Sequence, residues 1–341
     1  MREEPRIAHE ILRTCLQEQY GLAPVSIDFL PLGQDMNAGV YRVPSENGTA
    51  CLLKVKSGAF YPASCLVPRY LYDQGIASVV APLPTRANDL WVRAGDWTVI
   101  VYPYLEGDTG WTGMTDDRWR RAGAIAMRVH DAALPASGFA GLRHETFDPS
   151  AYARSMDNVE TQLAHSGTDE RPSERALRGS FAMYRARIRA LLTSLGNLSA
   201  VLRSQTYPHV VSHADFHPGN LLRDRAGDVF LIDWDDVMLA PRERDFIFVG
   251  EPADASTGYA GSPFFQGYGR TEIDWIALTY YRYERVVTDL IEYAAHVLFR
   301  EDLSEEAKAA AVRRFDESLE GRNFQASQAA AAHLPADLAV R

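Results

Sequence analysis

Residues 210–222, VVSHADFHPGNLL, and residues 229–237, VFLIDWDDV, decide how the whole chain is read. The first stretch is an apolar run leading into His213, Asp215 and Asn220 at the spacing H-x-D-x-x-x-x-N, which belongs to loops that move phosphoryl groups. The second is a short apolar run, read as a strand, that delivers Asp233 at its end. Turn residues fill the intervening segment 223–228 and predict a hairpin that brings Asn220 close to Asp233.

Each residue type suits a task. Phosphoryl transfer needs a carboxylate to accept or orient the proton of the attacking hydroxyl, and oxygen ligands that hold Mg²⁺ against the phosphates. Asp215 fits the first role, and Asn220 with Asp233 the second. Hard oxygen donors favour magnesium or manganese, whereas zinc recruits more His and Cys. Two other readings use the same residues. One takes them as turn-formers and caps. The other takes His213, Asp215 and His217 as an H-x-D-x-H ligand set of a metal hydrolase, and leaves Asn220 and Asp233 without a role.

A chain of 341 residues is long for one domain and suits two lobes with a cleft. Its net charge of −10, from 35 basic and 45 acidic residues, argues against a nucleic-acid partner and favours a cationic small molecule. The N-terminal residues lack the apolar core and cleavage site of a signal peptide, and no run approaches 18 apolar residues. A cytoplasmic protein that does not engage a membrane is therefore expected, its oligomeric state left open. Cys15, Cys51 and Cys65 are odd in number and form no C-x-x-C, which predicts buried, reduced thiols and no structural zinc.

Apolar spacing predicts an N-terminal helix over 7–20, then strands over 25–32, 38–44, 49–56, 89–93 and 98–104, a small β-rich lobe. Within it, the turn 33–39 (GQDMNAG) is either a plain hairpin turn or a loop that lays backbone N–H groups over phosphates, with Gly33 and Asn37 in the latter role. Lys54 matches the single buried lysine of V-A-I-K-type strands, and alternation puts Lys56 on the same face. The strand 99–102 runs into an extended, Pro-containing connection at 102–107, which is either an ordinary linker or a hinge whose unpaired backbone groups bind an adenine edge.

Beyond residue 110 the pattern is helical over 116–131, 173–195, 271–299 and 304–319, the last with Ser304 as N-cap. Residues 135–170 read as loop-rich and the tail from Ala326 as frayed. Along the long helix, Tyr280 and Tyr283 are expected in the core, with Arg282 and Glu284 exposed.

Taken in order, Lys54, the hinge, His213, Asp215, Asn220, the segment Ile232-Asp233-Trp234-Asp235 and the run Ala240-Pro241-Arg242-Glu243-Arg244-Asp245 resemble the aminoglycoside phosphotransferase family. The likeness to its spectinomycin-phosphorylating members extends through Phe265-Gln266-Gly267-Tyr268-Gly269 and residues 280–289, where Tyr281, Arg282, Glu284 and Arg285 stand in a similar pattern. The resemblance implies an α+β, two-lobed, protein-kinase-like fold, with residues 1–107 as the nucleotide-binding lobe and 108–341 as the mainly helical catalytic and substrate-binding lobe. It implies Asp215 as catalytic base, Asn220 and Asp233 as Mg²⁺ ligands, Lys54 on the phosphates of ATP or GTP, and Pro103, Tyr104 and Leu105 presenting backbone groups to adenine. Asp235, Asp236 and Glu284 would hold a cationic aminocyclitol or aminoglycoside antibiotic, with Trp111 and Tyr281 as walls. Acceptors of the hygromycin A kind, or choline, a sugar or homoserine, suit the same fold, as does a silent nucleotide-binding protein.

The chain departs from the family at one point. Kinase-like enzymes pair the strand lysine with a helix Glu, but residues 57–72 contain no acid, which leaves Asp73 or another group as the partner of Lys54. Pro62 and Pro68 also argue against a regular helix there.

Overall fold

The apolar residues of the N-terminal region alternate with polar ones. That period of two makes strands whose alternate side chains share one core. The computed structural model describes residues 4–33, 37–46, 48–135, 137–165, 171–249, 259–270, 272–336 and 338. In chain order the elements are helix α1 (His9–Cys15), continued by a π-helical turn Leu16–Tyr20; strands β1 (Asp28–Leu30), β2 (Ala38–Pro44) and β3 (Ala50–Ser57); α2 (Ala63–Asp73); and β4 (Val92–Ala94), β5 (Trp97–Pro103) and β6 (Gly107–Asp108). There follow α3 (Asp116–His130), α4 (Ser150–Ala164) and α5 (Pro172–Arg203); β7 (Val210–Ser212), β8 (Leu221–Asp224) and β9 (Val229–Leu231); and α6 (Pro263–Tyr268), α7 (Trp275–Leu298), α8 (Glu305–Glu320) and α9 (Arg322–Ala331).

The chain divides into two compact units: Met1–Arg143 with Val210–Leu239 and Asp254–Arg270, and His144–His209 with Ala240–Ala253 and Thr271–Arg341. In the first unit an antiparallel sheet has the order β1-β2-β3-β5-β4. Tyr41, Val43, Cys51, Leu53, Val55, Val99 and Val101 point to one face, where Leu12, Cys15 and Leu16 cover them. Lys54 and Lys56 lie on the other face by the same alternation. A second, three-stranded sheet joins β6, β8 and β9.

Helix α3 is capped by Thr115, whose hydroxyl accepts from the Arg118 amide, and carries Asp116 and Asp117 in its first turn, where the helix dipole favours them. It crosses α6 at backbone contact. A Cβ on Gly267 would stand 1.9 Å from the Arg120 carbonyl oxygen, and one on Gly123 would stand 2.1 Å from that of Phe264. Two bonds flank the crossing, Arg120 Nε to Gln266 Oε1 at 2.9 Å and the His130 Nδ1–Tyr268 hydroxyl pair at 2.8 Å.

The second unit is helical. Its core gathers Met156 of α4, Leu177, Phe181 and Leu195 of α5, Tyr280, Val286 and Leu290 of α7, and Phe315 of α8. Asp274 caps α7 by accepting from the Ile276 and Ala277 amides. The buried Lys308 ammonium donates to Val297 O near the other end of α7, where a cation suits the dipole.

Three expectations are corrected. Residues 63–73 do form a helix: Pro62 stands at its N-cap, where a missing amide costs nothing, and Pro68 removes one interior bond that the buried Cys65, Val67 and Leu71 offset. The loop-rich reading of 135–170 misses α4, whose Met156, Val159 and Leu163 recur on one face. The tail remains helical to Ala331, with Ala326 and Ala330 buried. No helix among the described residues is long and apolar enough to cross a membrane. All three cysteines are free thiols and buried, and burial pushes each thiol up to about 11, with Glu18 adding to the shift at Cys15.

Candidate active site

The hairpin expected between the two signature stretches forms. β8 and β9 pair antiparallel, Leu221 with Leu231 and Arg223 with Val229. The Ile232 amide then donates to Asn220 O at 3.0 Å, which brings the Asn220 and Asp233 backbones together. β9 is also held from its other side, where the Leu231 amide donates to Ser78 O at 2.8 Å and the Val80 amide to Leu231 O at 3.0 Å.

His213 is a structural post. Its Nε2–H donates to Ile232 O at 2.9 Å and its Nδ1 accepts from the Asp215 amide at 3.3 Å, while the ring lies edge-on to Trp234 at 4.8 Å. Both ring nitrogens are therefore committed inside the fold. His217 is committed likewise: Nδ1 accepts from the Gly219 amide at 2.9 Å, and Nε2–H donates to Asp215 Oδ2 at 3.2 Å. Neither histidine offers a lone pair to a metal, which removes the H-x-D-x-H hydrolase reading.

The Asp215 carboxylate is oriented by two donors on one oxygen, His217 Nε2 and Asn220 Nδ2, the latter at 3.0 Å. Asn220 Nδ2 also donates to Asp215 O at 2.9 Å. With its amide nitrogen turned to Asp215, Asn220 keeps a carbonyl oxygen of the hard type a magnesium ion takes. Ala214 and Asp233 hold left-handed backbone, φ 68° and 62°, an uncommon conformation for non-glycine residues that is found at functional turns. Among the described residues no cluster of three or more His, Cys, Asp or Glu could hold a metal alone. The donor set of Asn220 and Asp233 fits a magnesium ion that completes its shell with phosphate and water oxygens.

Lys54 meets Asp233 and Asp235. Its Nζ lies 2.8 Å from Asp233 Oδ1 and 2.8 Å from Asp235 Oδ2, and Lys56 Nζ lies 2.8 Å from the same Asp235 oxygen. Burial works against the Lys54 charge, but the two carboxylates outweigh it and its pKa goes up. Burial works against Asp235 as well, and Lys54 and Lys56 outweigh it to hold that carboxyl below its ordinary value. Asp73 is not the partner, since Arg69 on the same helix holds it.

β5 runs beside Lys54 at Ile100 and reaches Pro103 opposite Cys51. At ~3.3 Å per residue those three steps carry the backbone of Pro103 about 10 Å further along the sheet. Tyr104 lies under the Arg42 guanidinium, 5.2 Å from its ring centre. In the 33–39 turn, Gly33 has φ 78° and Asn37 O accepts the Ser57 amide at 2.8 Å; Gln34, Asp35 and Met36 fall outside the described residues.

Arg223, which the sequence reading left unremarked, is almost fully buried. It donates to Gly110 O at 2.6 Å, Thr112 O at 3.0 Å and Asp108 Oδ2 at 3.1 Å. The Gly110 amide in turn donates to Pro218 O at 2.8 Å, so the segment carrying Trp111 is tied to the loop that carries Asn220. Trp111 is exposed and packs on Trp119 at 6.1 Å. Asp236 is exposed, with Arg143 Nη1 at 3.4 Å.

Tyr281 and Glu284 belong to the second unit and are buried, which corrects the exposed position expected for Glu284 and, with it, for Arg282. Glu284 accepts from the Tyr152 hydroxyl at 2.9 Å and pairs with Arg244, whose guanidinium lies over the Tyr281 ring at 5.0 Å. Burial raises the Glu284 carboxyl against the pull of Arg244. Arg282 donates to Ala326 O at 2.8 Å.

The sequence matches the phosphotransferase enzyme family over residues 67–281. Among solved structures it is similar to spectinomycin phosphotransferase in complex with ADP and spectinomycin, at 26% identity and TM-score 0.83, covering 96% of this chain and 99% of that one. The AMP-bound complex of spectinomycin phosphotransferase matches at 26% identity and TM-score 0.77, covering 97% and 100%. An amicoumacin kinase in complex with AMP-PNP and Ca²⁺ shares the fold at 18% identity and TM-score 0.62, covering 94% and 97%. No curated protein matches the chain by sequence.

Proposed function

The chain belongs to the phosphotransferase enzyme family, and from that premise we propose that it transfers the γ-phosphate of a magnesium-bound nucleoside triphosphate, ATP or GTP, to a hydroxyl of a cationic aminocyclitol antibiotic of the spectinomycin kind. The observation that carries the acceptor class is the match, along nearly the whole length of both chains, to spectinomycin phosphotransferase with its nucleotide and antibiotic bound. In this reading residues 1–107 bind the nucleotide and residues 108–341 carry the catalytic loop and the acceptor site.

Asp215 takes the proton of the attacking hydroxyl. The two donors on Oδ2 fix the plane of its carboxylate, so orientation is in place before the acceptor arrives. Asn220 and Asp233 would hold the metal, which would supply positive charge against the phosphates. Lys54 exchanges carboxylate contacts for phosphate oxygens, Gly33 and Asn37 contribute to nucleotide binding, and Pro103, Tyr104 and Leu105 offer backbone groups to the base. On the acceptor side the exposed Asp236 and Trp111 are the direct contacts. Tyr281 and Glu284, buried in the second unit, hold Arg244 by a ring contact and an ion pair.

The experiment is ADP release with Mg-ATP against spectinomycin, other aminocyclitols, hygromycin A, choline and homoserine, with mass spectrometry of each mixture. One added phosphate on spectinomycin supports the proposal. Phosphorylation of choline or homoserine alone refutes the acceptor class, and nucleotide binding without any product refutes the transfer.

A further inference from the structure

Strand β3 carries two lysines on one face, Lys54 and Lys56, and the structure buries most of both side chains, leaving 13% and 19% exposed. Ammonium groups brought together in that way repel, and here a single oxygen, Asp235 Oδ2, accepts from both at 2.8 Å. The acid that holds Lys54 therefore comes from the segment after β9. It does not come from α2, whose one carboxylate, Asp73, is held by Arg69.

The placement of Lys56 adds a second point. It pairs in register with Ala38 at the start of β2, and its neighbour Ser57 donates from both amide and hydroxyl to Asn37 O. Lys54 stands one strand repeat further along, opposite Val40. Asp235 Oδ2 thus gathers both ammonium groups on the face of β3 that carries Lys54.

We propose that Lys56 is a second cation for the triphosphate, and that Asp235 is the positioning residue that presents both lysine ammoniums to it. This rests on the phosphotransferase reading and adds to it. It also takes Asp235 away from the acceptor, because a carboxylate shared by two ammonium groups is a poor anchor for a third cation.

The test is binding to the full-length protein by calorimetry, with Mg-ATP, Mg-ADP, AMP and adenosine as probes. K56Q is expected to weaken ATP and ADP by about tenfold or more, the scale of one charge-assisted bond, and adenosine by about twofold or less. K56R is expected to recover most of the ATP affinity. D235N should weaken ATP comparably, and K56Q/D235N should fall no further than the weaker single variant, since the two act as one unit. Unchanged ATP affinity in folded K56Q overturns the role of Lys56, and so does an equal loss for adenosine. Additive losses in the double variant overturn the role of Asp235. If D235N does not fold, D235E takes its place, with the lengthened acid expected to keep ATP binding within about threefold of wild type. Wild-type protein that binds none of the four probes refutes the phosphotransferase reading itself, an outcome distinct from failure of the lysine pair.

Discussion

Asp215→Asn separates chemistry from architecture with a change of one atom. Asp215 Oδ2 accepts from His217 Nε2 and Asn220 Nδ2. An amide oxygen in its place can accept from both, so the loop keeps its hydrogen bonds and the cost in stability is about 1 kcal/mol or less. Under the proposed function, the group lost is the one that takes the proton of the acceptor hydroxyl. A positioned general base contributes about 10²–10⁴ in rate, which at ~1.36 kcal/mol per decade raises the barrier by about 3–5 kcal/mol. The assay is steady-state ADP release with saturating Mg-ATP and acceptor, alongside calorimetric titration of the nucleotide and a urea melt. The expected result is kcat down by at least about 100-fold with nucleotide Kd within about twofold. A folded variant whose kcat stays within about tenfold of wild type, or whose nucleotide affinity falls as far as its kcat, refutes the assignment.

Gly267→Ala should destabilise the protein by about 3 kcal/mol or more, because its Cβ would meet the Arg120 carbonyl at 1.9 Å and backbone cannot step aside as a side chain can; a urea midpoint equal to wild type contradicts the contact. Thiol pKa values of about 11 with burial predict that Ellman's reagent labels none of Cys15, Cys51 and Cys65 at pH 8 in the native state and all three in urea, and rapid native labelling refutes this. The Asp235 carboxyl is lower in the folded protein than its unfolded value of about 3.9, so its contribution to stability is complete above that pH and is lost as pH falls through the folded value. Wild-type Tm should accordingly fall more steeply than that of D235N between about pH 5 and pH 3, and parallel curves contradict the pairing.

The parts of the fold legible in the sequence are those whose period is local. β2, β3 and β5 follow alternation, the Ser304 cap is read from one hydroxyl before two acids, and the 221–231 hairpin follows from turn residues between apolar runs. The candidate catalytic loop is legible because its spacing is a property of neighbours along the chain. What escaped depends on partners far away in sequence. Glu284 has a place in the core only because Arg244 and Tyr152 meet it there, and a heptad-scale reading sees an acid and assigns it to solvent. Lys54 and Asp235 lie 181 positions apart. The prolines of α2 argue against a helix in the sequence, yet Pro62 stands at its mouth and three fully buried side chains hold the rest. Arg223 reads as the start of a turn in the sequence, and its place in β8 and its role show only once Gly110 and Thr112 are seen to approach it.

The tether that Arg223 makes has an evolutionary consequence. It grips the carbonyls of Gly110 and Thr112, atoms that every amino acid supplies, and passes over the side chain between them. Position 111 can therefore change identity across a lineage without loosening the loop from the catalytic turn, whereas position 223 cannot. Change would be expected to accumulate at 111 under a constant arginine at 223, the variable and the fixed position lying on two segments that meet only in the fold.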